Sequence, residues 1–126
     1  MNVSVLGCGR WGSFIAWYLN KLSFSVTLWG RPGSARLKAL CETRDNGLLT
    51  DDLKQAVSEA ELLFISISAQ SLRTLTASLQ PLLPKNTPVI LCMKGIEEAT
   101  GLRLTQIVGE FISAPTAVWV GPGHVQ

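Results

Sequence analysis

Short apolar runs alternate along this chain with longer stretches in which apolar residues return every third or fourth position, a pattern that predicts strands and helices in turn. Val3, Val5 and Leu6 make the first strand. Phe14, Ile15, Tyr18, Leu19 and Leu22 then recur at helical spacing, which predicts a helix with one face turned to the core. Phe24 to Trp29 reads as the second strand, and Gly30-Arg31-Pro32-Gly33-Ser34 as a turn whose Ser34 caps a short helix carrying Leu37 and Leu40. Thr50-Asp51-Asp52 suits another helix start before Leu53, Ala56 and Val57, because a cap and two carboxylates complement the helix dipole. Leu62 to Ile65 is the third strand, and Leu72, Leu75 and Leu79 mark a helix that Pro81 and Pro84 keep short. Val89-Ile90-Leu91-Cys92-Met93 is the fourth strand. Leu104, Ile107, Val108 and Phe111 repeat the helical pattern, and Ala117 to Val120 supplies a fifth strand.

The third and fourth strands are apolar without alternation, as strands buried on both faces are. Strands of that kind separated by helices predict an α/β fold: a Rossmann-type, doubly wound parallel sheet with right-handed crossovers. At 126 residues, with no internal repeat or linker, the chain reads as a single domain over 1–126. Ligands of such sheets bind beyond the carboxyl ends of the strands, where strand order reverses. Those ends are the glycine-rich turn after the first strand, Gly30-Arg31, Ser66 to Gln70, Lys94-Gly95 and Gly121-Pro122-Gly123-His124.

The first of these segments, Gly7-Cys8-Gly9-Arg10-Trp11-Gly12, stands between a strand and a helix, the order a phosphate-binding turn requires. Gly7 permits the sharp turn, Gly9 leaves room for a pyrophosphate to approach the backbone, and Gly12 lets the new helix pack close to the strand. The anion then sits on unpaired N–H groups at the helix start.

Composition narrows the picture by exclusion. A net charge of +2 and eleven scattered Lys and Arg give no electrostatic case for nucleic acid. Cys8, Cys41 and Cys92 are odd in number and lack metal-ligand spacing, which points to reduced thiols in a cytoplasmic protein. No targeting segment is expected, no apolar run is long enough for a membrane span, and neither a Ser-His-Asp set nor a metal cluster can be assembled. Charged residues are only 16% and hydrophobic ones 47%, which fits either a surface covered by something else or a sheet sandwiched between helices. His124 reads as an exposed residue near the chain end. Trp11, Trp17 and Trp29 read as packing residues, with Trp11 also placed to flank a cofactor, and Asp51 and Asp52 read as cap residues.

About twenty residues past the glycine turn, a NAD site usually offers a carboxylate to the ribose 2′-hydroxyl. Here the chain offers Arg31, which pairs with a 2′-phosphate instead, so NADP(H), or tolerance of both NADP(H) and NAD(H), is favoured over strict NAD. Lys94 follows a strand and precedes a glycine, so its ammonium emerges at the rim, suited to a substrate oxyanion or phosphate.

Gly7-Cys8-Gly9-Arg10-Trp11-Gly12-Ser13, Leu28-Trp29-Gly30-Arg31, Lys94-Gly95-Ile96-Glu97 and Gly121-Pro122, in that order, resemble the N-terminal cofactor-binding domain of the NAD(P)-dependent glycerol-3-phosphate dehydrogenase family. The Trp inside the glycine turn and the Lys-Gly-Ile-Glu run are its most specific parts. The resemblance implies an oxidoreductase that interconverts dihydroxyacetone phosphate and sn-glycerol 3-phosphate by hydride transfer, serving glycerol-3-phosphate metabolism and phospholipid biosynthesis. It implies cofactor contacts from Gly7, Gly9, Arg10, Trp11, Gly12, Arg31, Gln70, Lys94 and Val125, and substrate contacts from Lys94, Gly121 and Gly123. Gly123 lacks the hydroxyl or amide side chain of relatives, Val125 stands where they have Ala, and Ser68 where many have Pro. The family's catalytic Lys lies in a helical C-terminal domain, so no catalytic residue is expected within 1–126. The chain is expected to bind cofactor without turning over alone, and a homo-oligomer stays open. Other readings are a reductase of ketopantoate or 6-phosphogluconate type and a non-catalytic nucleotide sensor. A methyltransferase using S-adenosylmethionine would place an acidic residue where Arg31 stands.

Overall fold

The structure, a computed structural model, describes residues 1–40 and 47–119. Its elements run β1 (Asn2–Leu6), α1 (Arg10–Lys21), β2 (Ser25–Trp29), α2 (Ala35–Leu40), β3 (Leu48–Thr50), α3 (Leu53–Val57), β4 (Leu62–Ile65), α4 (Leu72–Leu79), β5 (Val89–Leu91), α5 (Leu104–Gly109) and β6 (Thr116–Val118). The strands form one sheet in the order β3-β2-β1-β4-β5-β6, every pair parallel. The order reverses between β1 and β4, registered by Val3 opposite Leu62 and Leu6 opposite Ile65, so the turn after β1 opens at the switch point.

The four central strands β2, β1, β4 and β5 divide their buried residues between two separate cores. On one face Leu6, Leu63, Ile65, Val89 and Leu91 pack with α3, α4 and α5; on the other Val3, Val5, Val26, Leu28 and Phe64 pack with Ile15 and Ala16 of α1 and Leu37 of α2. Buried polar side chains are tied down: the Ser4 hydroxyl donates to the Ala56 carbonyl, Thr76 to Leu72 at 2.6 Å and Thr87 to Ala60 at 3.2 Å. The caps form where the chain places the right oxygens. Ser34 Oγ accepts from the Leu37 amide at 3.2 Å, and Asp52 Oδ1 from the amides of Lys54 and Gln55 at 3.0 and 3.3 Å.

The structure departs from the sequence reading at particular places. Leu48–Thr50 adds a sixth strand on the sheet edge, too short for an apolar period to show. The last strand begins at Thr116, one residue early, and β5 ends at Leu91 rather than Met93. The expected core face of α1 is divided: Ile15 and Ala16 are buried, but Phe14 and Tyr18 are 47% and 49% exposed, and Leu22 caps the helix in solvent. The reason is Gly12, which brings the start of α1 so close to the sheet that the small residues of the helix, Gly12, Ser13 and Ala16, turn inward. The displaced rings stack along the outside of α1, Trp11 on Phe14 at 5.5 Å and Phe14 on Tyr18 at 6.3 Å, and Trp119 meets Trp11 at 5.6 Å. Cys8 and Cys92 are buried free thiols, while Cys41 lies outside the described residues.

Candidate functional site

The turn after β1 is built by contacts that leave no room for side chains at two of its three glycines. Gly7 takes φ +115° and donates to the Trp29 carbonyl at 2.8 Å; a Cβ there would run into the Ser66 carbonyl oxygen. A Cβ on Gly12 would run into the carbonyl oxygen of Gly7, so the helix sits directly on the turn. Gly9 is different: nothing lies within 4 Å of where its Cβ would be. Gly9 is also the residue before α1, and no side chain caps that helix, whose first turn holds no acidic residue. A twelve-residue helix thus starts with uncapped amide donors facing open space, while the shorter α2 and α3 have Ser34 and Asp52 as caps. This is the donor set and the room that a phosphate anion requires.

The open space is a cleft of about 840 Å³, within the range of small-molecule sites. Gly7, Cys8, Gly9, Arg10 and Trp11 form its start, Trp29, Gly30 and Arg31 line it from the end of β2, and Ser66 to Ser68 and Gln70 line it from the end of β4. Ser34, Arg36 and Leu53, with Thr74 and Ser78 of α4, complete the walls. Three arginines border this cleft and, among the described residues lining it, no carboxylate does. Trp29 is fixed by its indole N–H, which donates to the Asp51 carbonyl at 3.1 Å.

The structure therefore brings Gly7, Gly9, Arg10, Trp11, Arg31 and Gln70 to one cleft, with Gly12 behind them. Lys94 stands apart: it is exposed beyond β5 and is not among the lining residues. Gln70 faces the cleft, yet its amide is spent on the segment that carries Lys94, donating to the Ile96 carbonyl and accepting from the Glu98 amide, both at 3.0 Å. Arg73 holds the same segment through Glu97. The Arg73 hydrogen bond, and next the one from Thr100 at 2.6 Å, hold the Glu97 carboxyl below its ordinary range, and Glu97 in turn raises Arg73. Gly121, Gly123, His124 and Val125 lie outside the described residues. Sequence reasoning missed Arg36, which sits inside a helix rather than at a strand end, and the Arg73–Glu97 pair, whose members are 24 residues apart. Among the described residues no helix is long and apolar enough to cross a membrane, and no group of His, Cys, Asp and Glu could hold a metal ion.

The sequence model of the NAD-dependent glycerol-3-phosphate dehydrogenase N-terminus matches residues 2–126. The chain belongs to this family. Among similar curated proteins, the glycerol-3-phosphate dehydrogenase [NAD(P)+] of Thermoanaerobacter sp. (strain X514) is 33% identical over 100% of this chain and 41% of its own length. That of Rhodopseudomonas palustris (strain BisB5) is 40% identical over 93% of this chain and 38% of its own. The chain thus spans about two-fifths of the length of these glycerol-3-phosphate dehydrogenases. The crystal structure of glycerol-3-phosphate dehydrogenase from Coxiella burnetii superposes with a TM-score of 0.82 at 22% identity, covering 93% of this chain and 39% of that one. At that identity the likeness establishes the shared Rossmann-type fold.

Proposed function

We propose that this chain binds NAD(P)H in the cleft at the end of β1, as the cofactor-holding part of an oxidoreductase that interconverts dihydroxyacetone phosphate and sn-glycerol 3-phosphate. The observation that carries the reading is the uncapped start of α1, pressed onto the turn by the Gly12–Gly7 contact, with open space at Gly9. The chain's family, and its similarity to glycerol-3-phosphate dehydrogenases, support glycerol 3-phosphate as one of the two substrates.

The first-turn amides of α1 and the guanidinium of Arg10 hold the diphosphate, and Trp11 offers a ring beside it. Arg31 takes the ribose 2′-phosphate at the end of β2, which favours NADP(H) or use of both cofactors. The cofactor, when bound, supplies a hydride to the carbonyl carbon of dihydroxyacetone phosphate. Lys94 provides a cation for the oxygen on which charge builds, or for the substrate phosphate. Gln70 holds the backbone at Ile96 and Glu98, and Arg73 holds the Glu97 side chain between them, which anchors the segment that follows Lys94. The described residues lining the cleft include no Lys, His, Asp or Glu to exchange the proton.

Titration with NADH and NADPH, followed by tryptophan fluorescence, tests the reading, because Trp11 lines the cleft and reports its occupancy. Saturable quenching is expected; no quenching, together with no heat in calorimetry, overturns it. An assay with NADPH and dihydroxyacetone phosphate then separates the roles. Appreciable turnover by residues 1–126 alone would refute the division of labour, and tight binding without turnover in a longer family protein carrying this domain would mark a nucleotide sensor.

A further inference from the structure

We propose that Arg36 is the second arm of a 2′-phosphate clamp and that, with Arg31 and Ser34, it makes this chain select NADP(H) over NAD(H); the proposal rests on the cleft being the dinucleotide site. The two arginines are five positions apart, and the backbone between them folds back to put both on the same cleft. Pro32 and Gly33, the latter at φ +83°, form a turn closed by the Ser34 amide donating to the Arg31 carbonyl at 3.0 Å. Ser34 then starts α2, its carbonyl accepting from the Lys38 amide at 3.2 Å and its hydroxyl oxygen from the Leu37 amide at 3.2 Å. Arg36 falls in the first turn of that helix. Leu37 beside it is anchored in the core, and Gly30 is packed so tightly that a Cβ there would lie 2.6 Å from Cys8 Sγ, so the turn has a fixed seat.

The charges argue for an occupant. Arg73, elsewhere in the fold, is neutralised by Glu97 and Glu110 at 2.9 and 2.8 Å. Arg31 and Arg36 have no ion-pair partner among the described residues, and no described carboxylate lines the cleft they share. A 2′-phosphate brings about −1.5 to −2 charge and three acceptor oxygens to two guanidinium forks. A 2′-hydroxyl brings no charge, and among the described residues lining the cleft no carboxylate accepts its O–H. The selectivity therefore has two parts, attraction of the phosphate and, among the described lining residues, no anionic acceptor to favour the hydroxyl.

The test compares Kd values for NADPH and NADH in the wild-type chain, Arg36→Ala and Arg36→Lys, with adenosine 2′,5′-bisphosphate and adenosine 5′-monophosphate as competing probes. Arg36 is exposed on a short helix, so thermal melts of the variants should overlay the wild type. In Arg36→Ala the ratio of NADPH to NADH affinity should fall about tenfold, as loss of one charge-assisted contact implies, and adenosine 2′,5′-bisphosphate should lose its advantage over the monophosphate by a similar factor. Arg36→Lys should restore part of the ratio. If both cofactors bind and the ratio is unchanged in Arg36→Ala, the clamp is overturned while the dinucleotide site stands. If neither cofactor binds, the site and the clamp fall together.

Discussion

Arg73 on α4 grips the Glu97 carboxylate with two parallel hydrogen bonds, Nε to Oε2 at 2.9 Å and Nη2 to Oε1 at 3.0 Å. Its remaining nitrogen, Nη1, reaches Glu110 at 2.8 Å, so one guanidinium ties α4 to the segment after β5 and to the end of α5. Glu97 is nearly buried and its carboxyl is held below the ordinary value. A depressed folded-state pKa gives stability that is fully present above the unfolded value, about 4.3 for Glu, and is lost as pH falls through the lower folded value. Glu97→Gln should therefore be less stable than wild type at neutral pH, and the gap should narrow below about pH 4. Urea unfolding followed by circular dichroism from pH 7 to pH 3 measures it; a gap independent of pH would mean the carboxylate charge is not what Arg73 holds.

Gly9 and Gly12 should part company when each is changed to alanine. A methyl on Gly12 strikes the Gly7 carbonyl oxygen, so Gly12→Ala should lower stability by about 1–3 kcal/mol as an overpacked contact and lose cofactor binding with it. Gly9 has space and an ordinary φ of −70°, so Gly9→Ala should melt close to wild type while, on the proposed reading, binding NADPH at least about tenfold more weakly, its methyl filling the open space over the start of α1. Equal losses of stability in the two variants would contradict the distinction.

Asp52→Ala removes the oxygen that accepts from the Lys54 and Gln55 amides at the start of α3. The expected cost is about 0.5–2 kcal/mol of unfolding free energy, read from urea denaturation. Because Asp52 is not among the cleft residues, NADPH affinity should stay within twofold, about the scatter of such a titration.

Burial pushes the Cys92 thiol up to about 12, so almost none of it is thiolate at pH 8. Its peptide should remain unmodified by iodoacetamide in the folded chain and become modified in urea, as mass spectrometry would show. Rapid labelling of Cys92 in the folded chain would place the thiol in water.

Features fixed by local chemistry were readable from the residues alone. The glycine spacing, the Ser34 and Asp52 caps and the solid apolar runs of β4 and β5 each carry their own signal, and the parallel sheet follows from their alternation. What the sequence hid depends on tertiary contact. Periodicity shows that α1 has apolar positions but not which stripe meets the sheet, and the close approach at Gly12 decides for Ile15 and Ala16 over Phe14 and Tyr18. β3 exists because β2 offers it an edge, and Glu97 looks like any surface carboxylate until Arg73 arrives from α4. In the candidate site, Gly7, Gly9, Arg10, Trp11 and Arg31 were visible because they stand at strand ends. Arg36 was not, since only the turn at Gly33 brings it round.

The central position of β1 has a temporal consequence for a chain made from its amino end. β1 finds its second neighbour only when β4 is complete, with Asn2 reaching Glu61 across 59 positions. Ser66, whose carbonyl backs Gly7 and whose amide donates to Leu6, arrives just after that. The turn at Gly7 thus takes its final form only after residue 66 has been added, and such distant pairings make that a slow step. A nascent chain stalled before residue 66 would carry the whole glycine signature and still lack the carbonyl that backs Gly7.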